Sequence, residues 1–219
     1  MLQQLKSTSS ADNVRRVMVL WNLPDLTDRV QQNIVLTQSE RSTVSKVLID
    51  GKWMLLKQAH RGISDHFVRF QLAIKKRWRV RSAMPRGCFR TADGQPHLLY
   101  EYYEPTMRPL PITRDHQKAL REDINDLHDC GFCHLDLTRR NIVQDKEGKL
   151  HLVDFETVCP IGEVCQVPVP PESSDSVKTG KPVTLKDDER LWNLLRVQMF
   201  GTSIFLSFSI VRIASLILA

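Results

Sequence analysis

The first long alternation of apolar and polar residues runs from residue 33 to residue 58. Residues 33–39, 43–49 and 53–57 each show the period-two pattern that is typical of half-buried strands. Asp50-Gly51 separates the last two segments, and both residues tolerate the positive φ that a two-residue hairpin turn requires. The pattern therefore predicts a three-stranded antiparallel meander.

Residues 64–81 follow with helical periodicity, since apolar residues recur there among basic and polar ones. A second hairpin is predicted from residues 88–91 and 97–103, with its turn at Asp93-Gly94. A proline-rich connection at residues 104–111 then separates this strand-rich part from the rest of the chain.

A long helix is predicted next, and Thr113 or Asp115 can cap its N-terminus. Ala119, Ile124 and Leu127, with Leu120 and His128 beside them, form its apolar stripe, and Gly131 suits the position just after its end. Three more segments follow: a hairpin at residues 142–153, a loop without periodicity at residues 160–187, and an amphipathic helix at residues 185–199.

Both ends of the chain depart from these patterns. Residues 1–16 are polar with little to bury, so we predict disorder there. Residues 199–219 are apolar and long enough to cross a bilayer, although Arg212 would cost roughly 2.5–3.5 kcal/mol inside it. The tail is a buried helix, an abnormal terminus or a membrane anchor, and the first two interpretations are favoured over the third.

Charge adds little to this picture. The 219 residues carry a net charge of +6, and the densest basic run lies in residues 75–81. Such a run can meet nucleic acid or acidic lipid, but a solvated helix face is the simpler explanation. Nucleic acid is therefore not expected as a partner.

Cysteine usage points to a reducing compartment. The chain has five cysteines, an odd number, and its polar start has no apolar leader segment. We expect free thiols and a cytoplasmic location, with a tail-anchored membrane protein as the alternative. Cys130 and Cys133 have zinc or redox spacing, but no second pair completes a metal site, so a position at a helix end is favoured.

Four polar residues in the second half of the chain have a spacing that suits phosphoryl transfer. They are His134, Asp136, Asn141 and Asp154, separated by two, five and thirteen positions. Mg²⁺ prefers hard oxygen ligands such as carboxylate and amide oxygens, and a further Asp can accept the proton of an attacking hydroxyl. The hairpin between Asn141 and Asp154 would bring both ligands to one side.

These residues carry a resemblance to the protein-kinase-like superfamily. His134 to Asn141 resembles the catalytic loop H-x-D-x-x-x-x-N, and Asp154-Phe155-Glu156 resembles the D-F-G motif with Glu in place of Gly. The resemblance implies that Asp136 and Asn141 are the catalytic-loop residues, with Asp136 as the base. It also implies that Asn141 and Asp154 are Mg²⁺ ligands and that His134 supports the loop.

The resemblance covers about residues 33–157 and is nearest to small, divergent kinase-like families of microbes and fungi. It implies an α+β, two-lobed protein-kinase-like fold. Residues 17–104 would form an N-terminal antiparallel-sheet lobe that binds nucleotide. Residues 105–198 would form a shortened helical lobe with the catalytic loop and the metal-binding motif.

A nucleotide site is implied in the first lobe. Lys57 ends the third strand, where a kinase places the lysine that contacts the phosphates. Ser42 and Thr43 could donate hydroxyls to phosphate from the preceding turn. Backbone groups near Glu101 to Tyr103 would contact adenine, as in a kinase hinge.

The chain departs from the kinase pattern in four places. The turn at residues 38–43 has no glycine, and its Glu40 would oppose phosphate. The helix after Lys57 has no Glu, so Asp65 and Gln71 are the only candidates there to partner that lysine. Glu156 could be a further metal ligand or could repel the nucleotide. No A-P-E motif follows, although Asp187 or Asp188 is a candidate for the aspartate that braces a catalytic loop.

Together these features predict an ATP-dependent phosphotransferase that uses Mg²⁺ and moves the γ-phosphate to a hydroxyl acceptor on a protein or a small molecule. The alternative is a pseudokinase that acts as a binding or scaffold module without turnover. Membrane attachment through residues 199–219 is not favoured.

Overall fold

A computed structural model describes residues 10–40, 42–60, 63–75, 81–103, 112–145, 147–165, 167 and 175–200. The protein has a mixed α+β architecture, with an antiparallel sheet in the N-terminal half and helices later in the chain. That coarse division is the one that the hydrophobic pattern predicts.

The main sheet has five antiparallel strands in the order β1-β2-β3-β5-β4. Asp50 and Gly51 both have positive φ, 48° and 75°, so the turn between β2 and β3 is the predicted hairpin turn. Lys57 lies opposite Val44 on one side and Leu98 on the other. The strands are β1 Val30–Gln38, β2 Ser42–Ile49, β3 Lys52–Ala59, β4 Gly87–Arg90 and β5 Pro96–Glu101.

The described residues form five α-helices. Thr113 caps α3 as predicted, because its side chain accepts a hydrogen bond from the His116 amide, and Gly131 follows the helix with a φ of 85°. The buried residues of α3 are Leu120, Ile124 and Leu127, whereas Ala119 is only half-buried. The helices are α1 Ser10–Trp21, α2 Asp65–Lys75, α3 Arg114–Asp129, α4 Asp175–Lys178 and α5 Leu185–Phe200.

The prediction of disorder at residues 1–16 is wrong for residues 10–16, which form the first part of α1. Val14 and Val17 on this helix are buried in the main core, and the Asn13 amide donates to the Ile63 carbonyl. Packing against α2 therefore stabilises a helix whose composition alone is too polar to suggest order. Residues 1–9 lie outside the described part of the chain.

Two short strand pairs hold the loops of the second half. β7 Ile142–Gln144 pairs with β8 Leu150–Leu152, which is the predicted hairpin. β6 Phe132–Cys133 pairs with β9 Cys159–Pro160, a pairing that the sequence pattern does not predict. The two pairs bring the segment after α3 and the segment after β8 side by side.

The larger hydrophobic core lies between α1, α2, α3, α5 and the two short strand pairs. A smaller one covers the other face of the main sheet and includes Leu26, Leu56 and Leu99. Central residues of the larger core are Phe67, Phe70, Ile74, Leu120, Ile124, Leu127, Leu152, Phe155 and Leu195.

The basic run and the apolar tail fall largely outside the described residues. Lys75 ends α2, and residues 76–80 are not described. α5 confirms the predicted helix up to residue 200, and residues 201–219 are not described. Within the described ranges, none of the helices is both long enough and apolar enough to cross a membrane.

Candidate active site

Lys57 is the point where the main sheet meets the D-F-E motif. Its ammonium donates a hydrogen bond to Asp154 Oδ1 at 2.7 Å and lies 3.1 Å from Glu156 Oε2. The lysine side chain is 15% exposed, whereas those of Asp154 and Glu156 are 37% and 30% exposed, so both contacts are only partly shielded from solvent. The fold thus joins Lys57 to two residues that lie at least 97 positions further along the chain.

The partners of Lys57 differ from the two candidates in α2. Asp65 pairs with Arg16 of α1 at 2.8 Å. The Gln71 side chain accepts from Trp21 Nε1 at 3.0 Å and donates to the Ala83 carbonyl at 2.9 Å. Both therefore position α2 in the core, and Asp154 and Glu156 take the place next to Lys57.

Lys57, Asp154 and Glu156 shift one another's pKa values. Burial opposes the Lys57 ammonium, but attraction to Glu156 and Asp154 outweighs it and raises the pKa of Lys57. Burial also opposes ionisation of Asp154, yet Lys57 more than offsets it and lowers the pKa of Asp154. For Glu156, burial and repulsion by Asp154 exceed the attraction of Lys57, so the pKa of Glu156 is raised. One cation thus faces two carboxylates, which leaves an excess of negative charge.

We expect Glu156→Gln to stabilise the ligand-free protein at neutral pH by roughly 1 kcal/mol, the scale on which partly exposed charge pairs act. Because the pKa of Glu156 is raised above its usual 4.5, its ionisation opposes folding above that pKa, and the penalty disappears as the pH falls through it. Thermal melts of wild type and variant should differ at pH 7 and converge as the pH is lowered. Glu122→Gln, an exposed change on α3, is the control, and equal melts at pH 7 would contradict the prediction.

Asp136 and Asn141 meet in the loop after β6. The Asn141 amide nitrogen donates to the Asp136 carbonyl at 2.8 Å and to Asp136 Oδ2 at 2.9 Å. Arg140 Nη2 donates to both Asp136 carboxylate oxygens at 3.1 Å. The Asp136 side chain is only 9% exposed, whereas that of Arg140 is 61% exposed. Arg140 therefore covers the carboxylate from the solvent side, a role that sequence analysis missed although the i,i+4 spacing allows it.

His134 ties this loop to the segment that carries Asp154. Its ring is fully buried, and burial lowers the pKa of His134, so it is neutral at pH 7. Nδ1 accepts from the Asp136 amide at 3.3 Å, which leaves the proton on Nε2, 3.3 Å from the Val153 carbonyl. The Val153 amide in turn donates to the Asn141 carbonyl at 2.9 Å. A continuous network thus connects Asp136, Asn141 and the residue before Asp154.

Phe155 anchors the D-F-E motif in the core. Its ring stacks on Phe70 of α2 at 5.5 Å and contacts the His134 ring at 5.1 Å. The preceding Asp154 has left-handed backbone angles, φ 66° and ψ 68°, so the chain turns sharply there. Burial of Phe155 together with this turn directs Asp154 towards Lys57.

Asp188, at the start of α5, holds the loop that contains His134 and Asp136. It is fully buried, and its two oxygens accept from the His134 amide at 2.7 Å and the Leu135 amide at 2.8 Å. His128 Nε2 lies 3.0 Å from Oδ2. Of the two candidates for a bracing aspartate, Asp188 has this position, whereas Asp187 accepts from the Thr184 amide and hydroxyl.

The ligand atoms of His128, Cys133 and Asp188 lie within 4.8 Å of one another. Both Asp188 oxygens already accept backbone hydrogen bonds, and burial raises the pKa of the Cys133 thiol. A thiol that holds its proton is a poor metal ligand, so we assign these residues to bracing the loop.

Ser42 and Thr43 lie at the same end of the sheet as Lys57. The Ser42 amide donates to Ser39 Oγ within the β1–β2 turn at 3.1 Å. Thr43 Oγ1 lies 3.0 Å from His60 Nε2. The turn is therefore closed by its own hydrogen bonds and lies beside the end of β3.

Glu101 and Tyr103 lie near the other end of β3. The Glu101 carboxylate pairs with Arg86 at 2.9 Å, and the Tyr103 ring stacks on His151 at 3.8 Å. Burial raises the pKa of Tyr103 to about 12. Both side chains therefore have partners within the protein, and the adenine contact of this backbone that the resemblance implies stays a prediction.

Cavity volume does not by itself locate the site. A cavity of about 1240 Å³ has Trp53, Glu101 and Tyr103 in its wall, and one of about 660 Å³ has Lys57 and Glu156 in its wall. Asp136 and Asp154 line neither of these two cavities. The hydrogen-bond network is the better guide, because it joins the residues whose chemistry is specific.

An ionic contact separate from that of Lys57 joins α2 to the segment after the D-F-E motif. Glu163 accepts two hydrogen bonds from Arg69, at 2.7 and 2.8 Å, and lies 3.4 Å from His66 Nε2. Sequence analysis missed Glu163, since it lies in a stretch without periodicity. The contact fixes one end of α2 against the loop that follows Asp154.

Comparison with known proteins adds no family to this geometry. No protein-family model matches the chain, and no curated protein is significantly similar to it.

Proposed function

We propose that the protein is an ATP-dependent phosphotransferase with a two-lobed, protein-kinase-like fold. The observation that carries the proposal is the 2.7 Å ion pair between Lys57 and Asp154, formed across 97 residues. The hydrogen-bond network that links the segment of Asp154 to Asn141 and Asp136 supports it. In this proposal, Asp136 is the base, Asn141 and Asp154 hold Mg²⁺, and Lys57 contacts the phosphates.

The donor set fits a hard divalent cation. Asp154 and Glu156 present carboxylate oxygens, and the charge of Lys57 offsets one of them. When bound, Mg²⁺ would neutralise phosphate charge. The chain's own contribution is to hold Asp154 in place through Phe155 and to keep Lys57 charged at neutral pH.

The spacing along β3 suits a nucleotide. Glu101 lies opposite Met54, three residues before Lys57 on that strand, which corresponds to roughly 10 Å at about 3.3 Å per residue. A base against the backbone near Glu101 would thus have its phosphates near Lys57. Asp136, next to Asn141, would then accept the proton of a hydroxyl on a protein or a small molecule.

One observation favours the alternative of a pseudokinase that binds without turnover. Arg140 occupies both oxygens of Asp136, so the carboxylate that should accept a proton is already paired. The pair is more easily opened than its geometry suggests, since Arg140 is 61% exposed and exposed ion pairs contribute only about 0–1 kcal/mol.

The test is thermal stabilisation by ATP with and without Mg²⁺. We expect a Mg²⁺-dependent gain of about 2.7 kcal/mol when the nucleotide is 100-fold above its dissociation constant. Asp154→Asn keeps the shape of the side chain but removes a charged metal ligand, so its Mg²⁺-dependent gain should disappear, whereas the exposed Glu122→Gln should respond like wild type. No response of wild type to ATP under either condition would overturn the proposal.

A further inference from the structure

Three cysteines converge beside the segment that follows the D-F-E motif. Cys133 and Cys159 are direct partners across β6 and β9. Together with Leu135 and Val183 they form a small buried cluster, and Cys165 packs against it. All three are free thiols.

A tight turn places Cys165 next to Cys159. The Glu163 amide donates to the Pro160 carbonyl at 3.2 Å, and Gly162 has a φ of 86°, so the chain reverses between the two cysteines. Cys159 Sγ lies 3.7 Å from the Glu163 carbonyl, and the Cys165 thiol donates to the Val167 carbonyl at 3.5 Å. Cys165 packs against the buried cluster that contains Cys159. The turn and this packing thus place the two cysteine side chains in one cluster.

The members of the cluster differ in access and in acidity. Cys159 and Cys133 are fully buried, whereas Cys165 is partly exposed. The neighbouring Cys159 side chain lowers the pKa of Cys165, and the pKa of Cys159 is raised by Cys165 and by burial. The Cys133 thiol donates instead to the Thr184 carbonyl at 3.4 Å. Cys165 is therefore the nucleophile of the cluster, because solvent reaches it, whereas Cys133 and Cys159 are buried, and because a thiolate and not a thiol attacks.

We propose that Cys159 and Cys165 are a peroxide-sensitive thiol pair that closes to an intramolecular disulfide. The Cys165 thiolate attacks one oxygen of hydrogen peroxide, the O–O bond breaks, and a sulfenic acid forms with release of hydroxide. The Cys159 sulfur then attacks the sulfenic sulfur, and the S–O bond breaks. The thiol proton leaves with the hydroxyl as water. Two sulfurs lose two electrons in total, and the peroxide is reduced to two waters once the hydroxide is protonated.

The two cysteines flank a loop that contacts α2. The ring closed by the disulfide contains Glu163, whose carboxylate holds Arg69 and lies near His66. Oxidation would therefore act on the loop that fixes α2. The inference itself does not depend on phosphotransferase activity, since the bond can be detected by chemistry alone.

The test is thiol mapping of the full chain after exposure to a small excess of hydrogen peroxide near neutral pH. We expect the number of alkylatable thiols under denaturing conditions to fall from five to three, and a disulfide-linked peptide pair containing Cys159 and Cys165 to appear in the mass spectrum. Five unchanged thiols, or a disulfide that joins Cys133 to Cys159 instead, would overturn the proposal.

Two variants separate the steps. In Cys159→Ala the sulfenic acid on Cys165 has no partner thiol beside it, so a dimedone adduct should accumulate at Cys165. In Cys165→Ser, which changes a partly exposed residue, all four remaining thiols should survive the same exposure. Cys130→Ser lies outside the cluster and should still form the disulfide. If Cys165→Ser loses two thiols as wild type does, Cys165 is not the reactive residue.

Discussion

Asp188→Asn is expected to cost about 3–5 kcal/mol of unfolding free energy, which is a large part of the roughly 5–15 kcal/mol that a domain has. Asp188 is fully buried, and its two oxygens satisfy the adjacent amides of His134 and Leu135. In the variant an NH₂ group replaces one oxygen, so one amide donor faces another donor, and the contact with His128 Nε2 is altered as well. Unsatisfied buried donors each cost about 1–3 kcal/mol because no water replaces the lost partner.

The measurement is denaturant unfolding, compared with Asp129→Asn as a matched control. Asp129 is exposed at the end of α3, and a change there should stay within about 0.5 kcal/mol. A loss below about 1 kcal/mol in Asp188→Asn would show that the loop is held mainly by other contacts, such as the hydrogen bond from Thr157 to the His134 carbonyl.

Local chemistry accounts for the parts of the fold that the sequence predicts well. Asp50-Gly51 and Thr113 act through their own backbone and immediate neighbours, so a turn and a cap can be recognised without knowledge of the partner elements. The helix α1 was missed although Val14, Val17, Met18 and Trp21 have helical spacing. The first residues are polar, and the stabilising contacts come from Ile63 and from Gln71 of α2, each 50 positions away.

Some residues of the candidate site can likewise be recognised from the sequence, and others cannot. Asp136, Asn141 and Asp154 are spaced along a loop and a hairpin, and their spacing is visible in the sequence. The partners of Lys57 are not visible in the sequence, because the candidates there lie on α2, whereas the two acids flank Phe155 in the second half of the chain. Choosing Asp188 over Asp187 likewise needed the register of α5 against His134, and one residue along a helix rotates a side chain by about 100°.

Two halves of the site therefore rest on different kinds of contact. The Asp136 side is built from buried hydrogen bonds among His134, Asn141 and Asp188, which fix geometry. The Lys57 side is built from charges, with an excess carboxylate that a cation can satisfy. A variant on the first side should thus change turnover, while a variant on the second side should change binding of Mg²⁺ and ATP.

Asp136→Asn is expected to lower phosphoryl transfer by about 10²–10⁴-fold while leaving Mg²⁺-dependent stabilisation by ATP close to that of wild type. The amide of Asn cannot accept the proton of an attacking hydroxyl, but it has the same size, and its oxygen can still accept from Asn141. Lys57 and Asp154, which are proposed to hold the phosphates and the metal, are untouched.

The readouts are phosphate release from ATP and incorporation of labelled γ-phosphate into the chain itself, each with Asp129→Asn as control. Equal turnover of Asp136→Asn and wild type would place the base elsewhere. Wild type that is stabilised by Mg²⁺ and ATP but shows no turnover would instead identify a binding module. Arg140→Gln then becomes the informative variant, because it uncovers the Asp136 carboxylate without removing it. Turnover that appears only in Arg140→Gln would mean that the ion pair on Asp136, and not a missing base, keeps the protein inactive.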